Sequence, residues 1–273
     1  MQFFKILVVG YGNIGQHLCN ELKSPVTEIK VYDKFKKKED CAEFPLASNL
    51  SEFANEKFDY TFICVPTEML PDGSCDTSQV EDAVTTVYNK IKSRVIILKS
   101  TVPVGTTERL IFEKDIVNLI FSPEYYGTTI HAPEKLDFVV LAGDVVLCDD
   151  VAQLYYSIKP KSLRIKHTTL ETAELAKYME NCFLALKVAF CSEFSIIAEH
   201  MGISYPELRE IFILDERMGD SHTLIRRNQP YYDSHCLNKD IPGLIKQTRD
   251  SKLMSAVHEI NEERKRIYKE RED

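Results

Sequence analysis

The feature that most constrains this chain is a glycine turn set directly after a short apolar run. Phe4–Val9 is rich in Ile, Leu and Val, as strands buried on both faces are, and GYGNIG follows at once. Gly10 permits a tight turn, Gly12 lets backbone approach a pyrophosphate, and Gly15 lets a helix over Ile14–Leu22 sit close to the strand. The start of that helix, with Asn13 and Ile14, offers free N–H groups and a positive dipole end to phosphates. A second strand, Glu28–Tyr32, ends at Asp33. That is about 20 residues beyond the glycines, where an acid takes the adenosine ribose hydroxyls. Asp33 repels a 2′-phosphate, so NAD is expected over NADP. The basic cluster Lys34, Lys36, Lys37 and Lys38 pulls the other way, and Lys38 is kept as a candidate cofactor residue. The competing reading is a structural glycine turn in an unrelated α/β domain; turn, flanking elements and acid together speak against it.

Strands and helices then alternate. Tyr60–Val65 reads as a strand ending in VPT, Val80–Ile91 as an amphipathic helix, and Val95–Leu98 as a strand ending in KSTVPVGTT. Thr106–Phe112 begins another helix, Ile116–Phe121 is a strand ending in SPEYYG, and Phe138–Ala142 is a further strand. The polar motifs all follow strands, and in an open α/β sheet the ligand crevice lies at the strands' carboxyl ends. Val65, Pro66, Thr67, Ser100, Thr101 and Glu124 are therefore candidates to meet one cofactor. Lone Thr and Ser residues in such places are commonly helix caps; Glu124, at a strand end behind a Pro, is less easily read that way.

Thr172–Met201 is the other organising stretch. Ala176, Met179, Phe183, Leu186, Phe190, Phe194, Ile197 and Met201 recur at steps of three and four, which is helical spacing, and neither Pro nor Gly interrupts them. Such a stripe needs a partner along its length. It is too long for a small domain to cover alone, so oligomerisation through this helix is expected. Lys177 and Asn181, four apart, share one face beside the stripe. The pair can hold a substrate oxygen or a water; the plain alternative is a snorkelling Lys and a surface Asn.

The fold expected is α/β: a Rossmann-type doubly wound parallel sheet over 1–168, then a smaller helical domain over 169–273 built on the long helix. Val146–Ile158 and the long helix read as packing the smaller domain, with a strand-like Leu163–Lys166 between them. Tyr205–Leu214 is a short helix, and a helix runs on from Asp250. A net charge of -8 argues against a nucleic-acid footprint. No apolar run is read as long enough to cross a membrane, and the N-terminus has no signal-peptide pattern, so a cytoplasmic protein is expected. The eight Cys are scattered without a CxxC pair, which suits buried thiols better than zinc or a disulfide framework; no metal is expected. The irregular stretch DERMGDSHTLIRRNQPYYDSHCLNKD ends in Cys236, with Lys239 and Asp240 after it. A Cys beside cations near a helix start has a lowered pKa and acts as a thiolate. Local sequence leaves that reading and an inert thiol equally open.

In this order, GYGNIG, Asp33, VPT, KSTVPVGTT, SPEYYG, ELAKYMENCFLALK and CLNKD resemble the UDP-glucose/GDP-mannose dehydrogenase family. The resemblance runs from the N-terminus to about the charged tail. It implies a nucleotide-binding domain and a helical central domain through which members dimerise, in enzymes of polysaccharide biosynthesis. It also implies a third α/β domain gripping the nucleotide of a sugar substrate, before which this sequence stops. Carried over by position, Cys236 traps an aldehyde as a thiohemiacetal. Lys177 and Asp240 hold the reacting oxygen and a water, with Asn181 beside them. Glu124 assists thioester hydrolysis, and Thr101 positions water. The implied reaction takes a primary alcohol to a carboxylate with two NAD+, on a sugar or nucleotide-sugar substrate.

Two departures are expected to matter. Asp233 and Ser234 stand where the family has Gly-Gly before its Cys, which should alter or block a sugar pocket, and the third domain's grip is missing. Two further readings therefore stand beside the first. One is a two-electron β-hydroxyacid-type dehydrogenase, which shares the glycine turn and a Lys and Asn four apart on a long helix. The other is a non-catalytic NAD-binding protein on the same scaffold.

Overall fold

The computed structural model describes residues 2–127, 137–159, 162–248 and 250–270. They form two compact units. The first falls within Met1–Glu68, Asp76–Tyr126 and Glu134–Lys177, the second within Met69–Cys75, Gly127–Pro133 and Tyr178–Asp273.

The first unit is an eight-stranded sheet. In chain order its elements are β1 (Phe4–Val9), α1 (Asn13–Leu22), β2 (Thr27–Tyr32), β3 (Leu46–Ala47), β4 (Lys57–Ile63), α2 (Ser78–Lys90), β7 (Lys92–Leu98), α3 (Thr106–Lys114), β8 (Leu119–Phe121), β9 (Phe138–Ala142), α4 (Val145–Ile158) and β10 (Arg164–Thr168). The two-residue strands β5 (Glu68–Met69) and β6 (Cys75–Asp76) form a separate ribbon. The sheet order is β10-β9-β8-β7-β4-β1-β2-β3. Every pairing is parallel except β8 with β9, which meet antiparallel at Phe121 and Ala142 and so need no crossover helix between them.

Residues alternate between two cores. Phe4, Ile6 and Val8 of β1 join Leu18 and Leu22 of α1 and Val151 and Tyr155 of α4 on one face. Leu7 and Val9 join Val80, Val84 and Val87 of α2 and Leu110 of α3 on the other. Helices on both faces explain why β1 is apolar without a break from Ile6 to Val9. The placement of α4 corrects the sequence reading: it covers the sheet and does not pack a helical domain. Helical periodicity reports that a helix has an apolar face but not which body receives it. Leu163–Lys166 likewise becomes β10, paired in parallel with β9.

The second unit is helical. The 31-residue α5 (Leu170–His200) runs into it from the first and is followed by α6 (Tyr205–Phe212), α7 (His235–Gln247) and α8 (Lys252–Lys269). Its core joins Cys182, Ala185 and Ala189 of α5 to Tyr232, Leu237 and Ile241. The part of α5 that meets this core is therefore one of small residues, while Tyr178, one turn earlier, is fully buried. The large apolar stripe faces outward, with Met179 73%, Phe183 58% and Met201 70% exposed. Lys177 and Asn181, read as flanking a buried stripe, are themselves on the buried side. By length and composition α5 could cross a membrane, with a stretch of mean hydropathy 1.5. This corrects the reading that no segment reaches that length: isolated charges such as Lys187 break an apolar run without lowering its average far.

Candidate active site and cofactor site

The glycine turn is built as its spacing requires. Gly10 has φ +94, and a Cβ there would lie 2.6 Å from the carbonyl oxygen of Cys64; a Cβ on Gly15 would lie 2.0 Å from that of Gly10. Gly12 precedes α1 and has open space above it. Lacking a side chain, it leaves the first-turn N–H groups of α1, at Asn13 and Ile14, for an outside acceptor.

Asp33 Oδ2 accepts from the N–H of Tyr11 at 2.8 Å, and Oδ1 accepts from Phe35 N at 2.8 Å and Lys36 N at 3.2 Å. These bonds fix the carboxylate at the end of β2. Gly10, Asp33, Lys34, Val65, Pro66 and Asp82 line one cavity of about 80 Å³. It lies at the carboxyl ends of β1, β2 and β4, where the strand order reverses, which is where such sheets bind ligands. A turn open above Gly12, a helix start without a cap, and a fixed acid fit the pyrophosphate and ribose of NAD. Lys38 lies exposed in a 3-10 turn, Lys38–Asp40, and is not among the lining residues.

The polar residues after the other strands pin neighbouring loops together. Ser100 Oγ donates to Val65 O at 2.6 Å, and Thr67 Oγ1 donates to Thr101 O at 3.0 Å. Glu124 Oε1 accepts from Tyr125 N and Tyr126 N, each at 2.9 Å, and Oε2 lies 3.4 Å from Lys99 Nζ. Burial pushes this carboxyl upward, but the Lys99 ammonium, the Tyr126 N–H and His17 outweigh it, so its pKa lies below the usual range. Glu124 is therefore an ionised carboxylate at neutral pH.

That direction sets a pH dependence. A carboxylate with a depressed folded pKa contributes stability fully above its unfolded value of about 4.3 and loses it as pH falls through the folded value. Acid melts of Glu124→Gln should thus lose less stability than wild type from about pH 5 downward; parallel acid limbs would refute this.

Lys99, buried at the end of β7, was not singled out in the sequence, although it opens KSTVPVGTT. Nor was Glu174, fully buried on α5, whose carboxylate accepts from Gly105 N at 2.6 Å and from Thr107 N and Oγ1 at 2.9 and 2.6 Å. It ties the KSTVPVGTT loop to the start of the long helix. An acid inside an otherwise apolar stretch was the available signal. Two tyrosines also escaped notice. Lys177 Nζ lies 4.9 Å from the centroid of the Tyr125 ring, and Tyr126 stacks on His17 at 3.7 Å.

In the second unit, Asn181 Nδ2 donates to Asp240 Oδ2 at 2.6 Å, and Lys239 Nζ donates to Asp240 Oδ1 at 2.5 Å. All three side chains are buried. The irregular stretch ends at Ser234, which caps α7 by accepting from Leu237 N. Cys236 is then in the first turn of α7, three and four residues before Lys239 and Asp240 on the same helix face. None of the eight cysteines is disulfide-bonded among the described residues; six are buried, Cys75 is half-buried, and Cys236 is exposed. Burial pushes the Cys64 thiol to about 12 and those of Cys148 and Cys182 to about 11. Asp233 accepts from Lys265 and from Asn238 Nδ2 at 2.8 Å, so this carboxylate is tied to α8. Lys177, Thr101 and Glu124 belong to the first unit; Asn181, Cys236 and Asp240 belong to the second.

A doubly wound sheet with this glycine turn and fixed acid defines a dinucleotide-binding protein of the dehydrogenase type. The chain belongs to the UDP-glucose/GDP-mannose dehydrogenase family: residues 4–155 match its NAD binding domain and residues 171–263 its central domain. It is similar to a UDP-glucose 6-dehydrogenase of Campylobacter jejuni, at 27% identity over 91% of this chain and 63% of that one. A UDP-glucose 6-dehydrogenase of Rickettsia bellii is 31% identical over 78% of this chain and 52% of its own length. The chain thus spans between about half and two thirds of these relatives. Among solved structures, a UDP-glucose dehydrogenase from Pyrobaculum islandicum shares the fold with a TM-score of 0.77 at 23% identity, over 96% of this chain and 68% of that one. A 3-hydroxyisobutyrate dehydrogenase from Mycobacterium tuberculosis shares it at 0.70 and 17% identity, over 96% of this chain and 94% of its own.

Asp33 carries a direct expectation. Wild type should bind NAD+ more tightly than NADP+, and Asp33→Ala should weaken NAD+ and narrow the gap. Calorimetry finding tighter NADP+ binding to wild type would overturn this.

Proposed function

We propose that this protein is an NAD-dependent dehydrogenase that oxidises the primary alcohol of a nucleotide sugar to a carboxylate through Cys236. The observation that carries this reading is an exposed Cys in the first turn of α7, followed one turn later by the buried Lys239–Asp240–Asn181 cluster. NAD+, when bound, would accept the hydride of each of two oxidation steps, the hydroxyl proton lost in each passing to water. The chain's own residues do the rest. Lys177 holds the substrate oxygen and stabilises its developing negative charge. Cys236 adds to the aldehyde carbon as a thiohemiacetal, which keeps it from escaping and makes the second oxidation possible. Oxidation of that adduct leaves a thioester. A water held by Asp240 and Asn181 attacks it, with Thr101 as a further positioning group and Glu124 taking the proton. The thiol leaves, and a carboxylate is formed.

In this reading residues 1–168 carry the cofactor, and 169–273 carry the substrate residues and the dimer contact. The products suit polysaccharide biosynthesis in the cytoplasm, with α5 buried between copies of the chain and not in a bilayer. The outward stripe of Met179, Phe183, Phe190 and Phe194 supports a homodimer, because contiguous apolar surface of that extent marks interfaces. Light scattering at micromolar concentration should give a dimer, and Phe190→Glu with Phe194→Glu a monomer. A monomeric wild type would exclude it.

Counting NADH tests the main reading: two per UDP-glucose consumed, with a carboxylate product. A two-electron β-hydroxyacid-type enzyme is the second reading, supported by the glycine turn and by Lys177 and Asn181 four apart on one long helix. It yields one NADH, and a binding protein yields none.

A further inference from the structure

A second cavity, of about 470 Å³, lies wholly within the second unit. It is bounded by the far end of α5, the start of α6, the segment around Ile225 and Tyr268 of α8. Along α5, Ser195 in its wall is 195 − 181 = 14 positions from Asn181, or about 21 Å at ~1.5 Å per residue. The cavity is therefore distinct from the Asn181–Asp240 cluster, and none of the chemistry above uses it. Its volume is in the range of small-molecule sites, roughly 300–1,000 Å³.

Ile196, Ile203, Ile225, Pro206 and Pro230 give it an apolar wall, while its charge comes from Arg226 and Arg227 against the single acid Glu199. That is a positive surplus in a chain of net charge -8, so the hollow draws anions against the overall field. Arg94, Arg109, Arg164 and Arg217 each have a carboxylate partner. Among the described residues, Arg226 and Arg227 have none. Gln229 N donates to Arg226 O at 3.0 Å, fixing the turn that carries them. The start of α6 forms part of the same wall, and Ser204 at its N-cap makes no side-chain capping bond. Two adjacent guanidiniums offer more N–H donors than one carboxylate can accept, whereas a phosphate group presents three free oxygens. A phosphate alone would leave most of the volume and all of the apolar wall unused.

We propose that this cavity binds a small organic phosphate, with Arg226 and Arg227 on the phosphate and the isoleucine–proline wall against its organic body. The test is calorimetry on the full chain with NAD+ saturating, so that the glycine turn is already filled. The probes are UMP, glucose 1-phosphate and inorganic phosphate. At least one organic phosphate should bind saturably and more tightly than inorganic phosphate. The doubly substituted Arg226→Ala, Arg227→Ala chain should bind it about tenfold more weakly or worse, as loss of charge-assisted hydrogen bonds predicts. Both arginines are exposed, so this variant should keep its melting temperature and NAD+ affinity. Ile196→Trp, which fills the cavity without touching its charge, should block the organic phosphate and spare inorganic phosphate. Which organic probe binds separates a nucleotide from a sugar phosphate. Saturable binding of none, tighter binding of inorganic phosphate than of either organic probe, or affinity unchanged in the arginine variant would each overturn the proposal. NAD+ affinity, measured first, reports on the cofactor site independently.

Discussion

Cys236→Ser should lower carboxylate formation by about a thousandfold or more, the scale of losing a covalent nucleophile, while leaving NAD+ affinity unchanged. The first oxidation does not need the thiol, so the variant should release aldehyde and give one NADH in place of two; where the serine hemiacetal is oxidised as well, a second NADH forms and the chain stalls as a slowly hydrolysed ester. Cys236 is suited to this role by exposure as much as by position. The other thiols are buried or half-buried, and burial keeps Cys64, Cys148 and Cys182 protonated at neutral pH. Iodoacetamide should accordingly modify Cys236 first. The rate advantage comes from access. Product analysis by mass spectrometry decides the matter: unchanged carboxylate yield in the variant would exclude the covalent route.

Gly15→Ala should be the most damaging single substitution in the cofactor unit. Its Cβ would meet backbone, 2.0 Å from the Gly10 carbonyl oxygen and 3.0 Å from the carbonyl carbon, and backbone cannot rotate aside as a side chain can. Helix α1 must then lift away from β1, at a cost of about 1–3 kcal/mol for overpacking. The N–H groups meant for the pyrophosphate move with it, and a displacement of about 1 Å can cost a hundredfold in function. Gly12→Ala is the control, because a Cβ there meets nothing within 4 Å. That chain should fold as wild type and lose cofactor affinity alone. Thermal melts with NAD+ calorimetry distinguish the two, and a Gly15→Ala chain with wild-type melting temperature and affinity would refute the steric account.

Much of the fold and of the cofactor site was readable from local pattern. A tight turn needs glycine whatever surrounds it, and a strand buried on both faces must be apolar throughout. For those reasons GYGNIG, the β1 run and Asp33 could be placed before any contact was known. Each depends on neighbours within a few residues or on a fixed spacing. The same holds for the helix start near Cys236, though the cap on which it is built, Ser234 accepting from Leu237 N, emerged only in the structure.

Tertiary structure decided the rest. The stripe on α5 is conspicuous because its residues are large, yet the side that packs within the chain carries Ala185, Ala189, Lys177 and Asn181. Small side chains let Leu237 and Ile241 of α7 approach closely, and periodicity records where apolar residues recur without saying which face a neighbour will cover. The assignment of α4 to the sheet has the same cause. Lys99 meets Glu124 from 25 residues away, and Asn181 meets Asp240 from 59. No local spacing encodes such pairs. They exist because strand order and helix packing bring distant buried charges to the one partner that makes their burial tolerable.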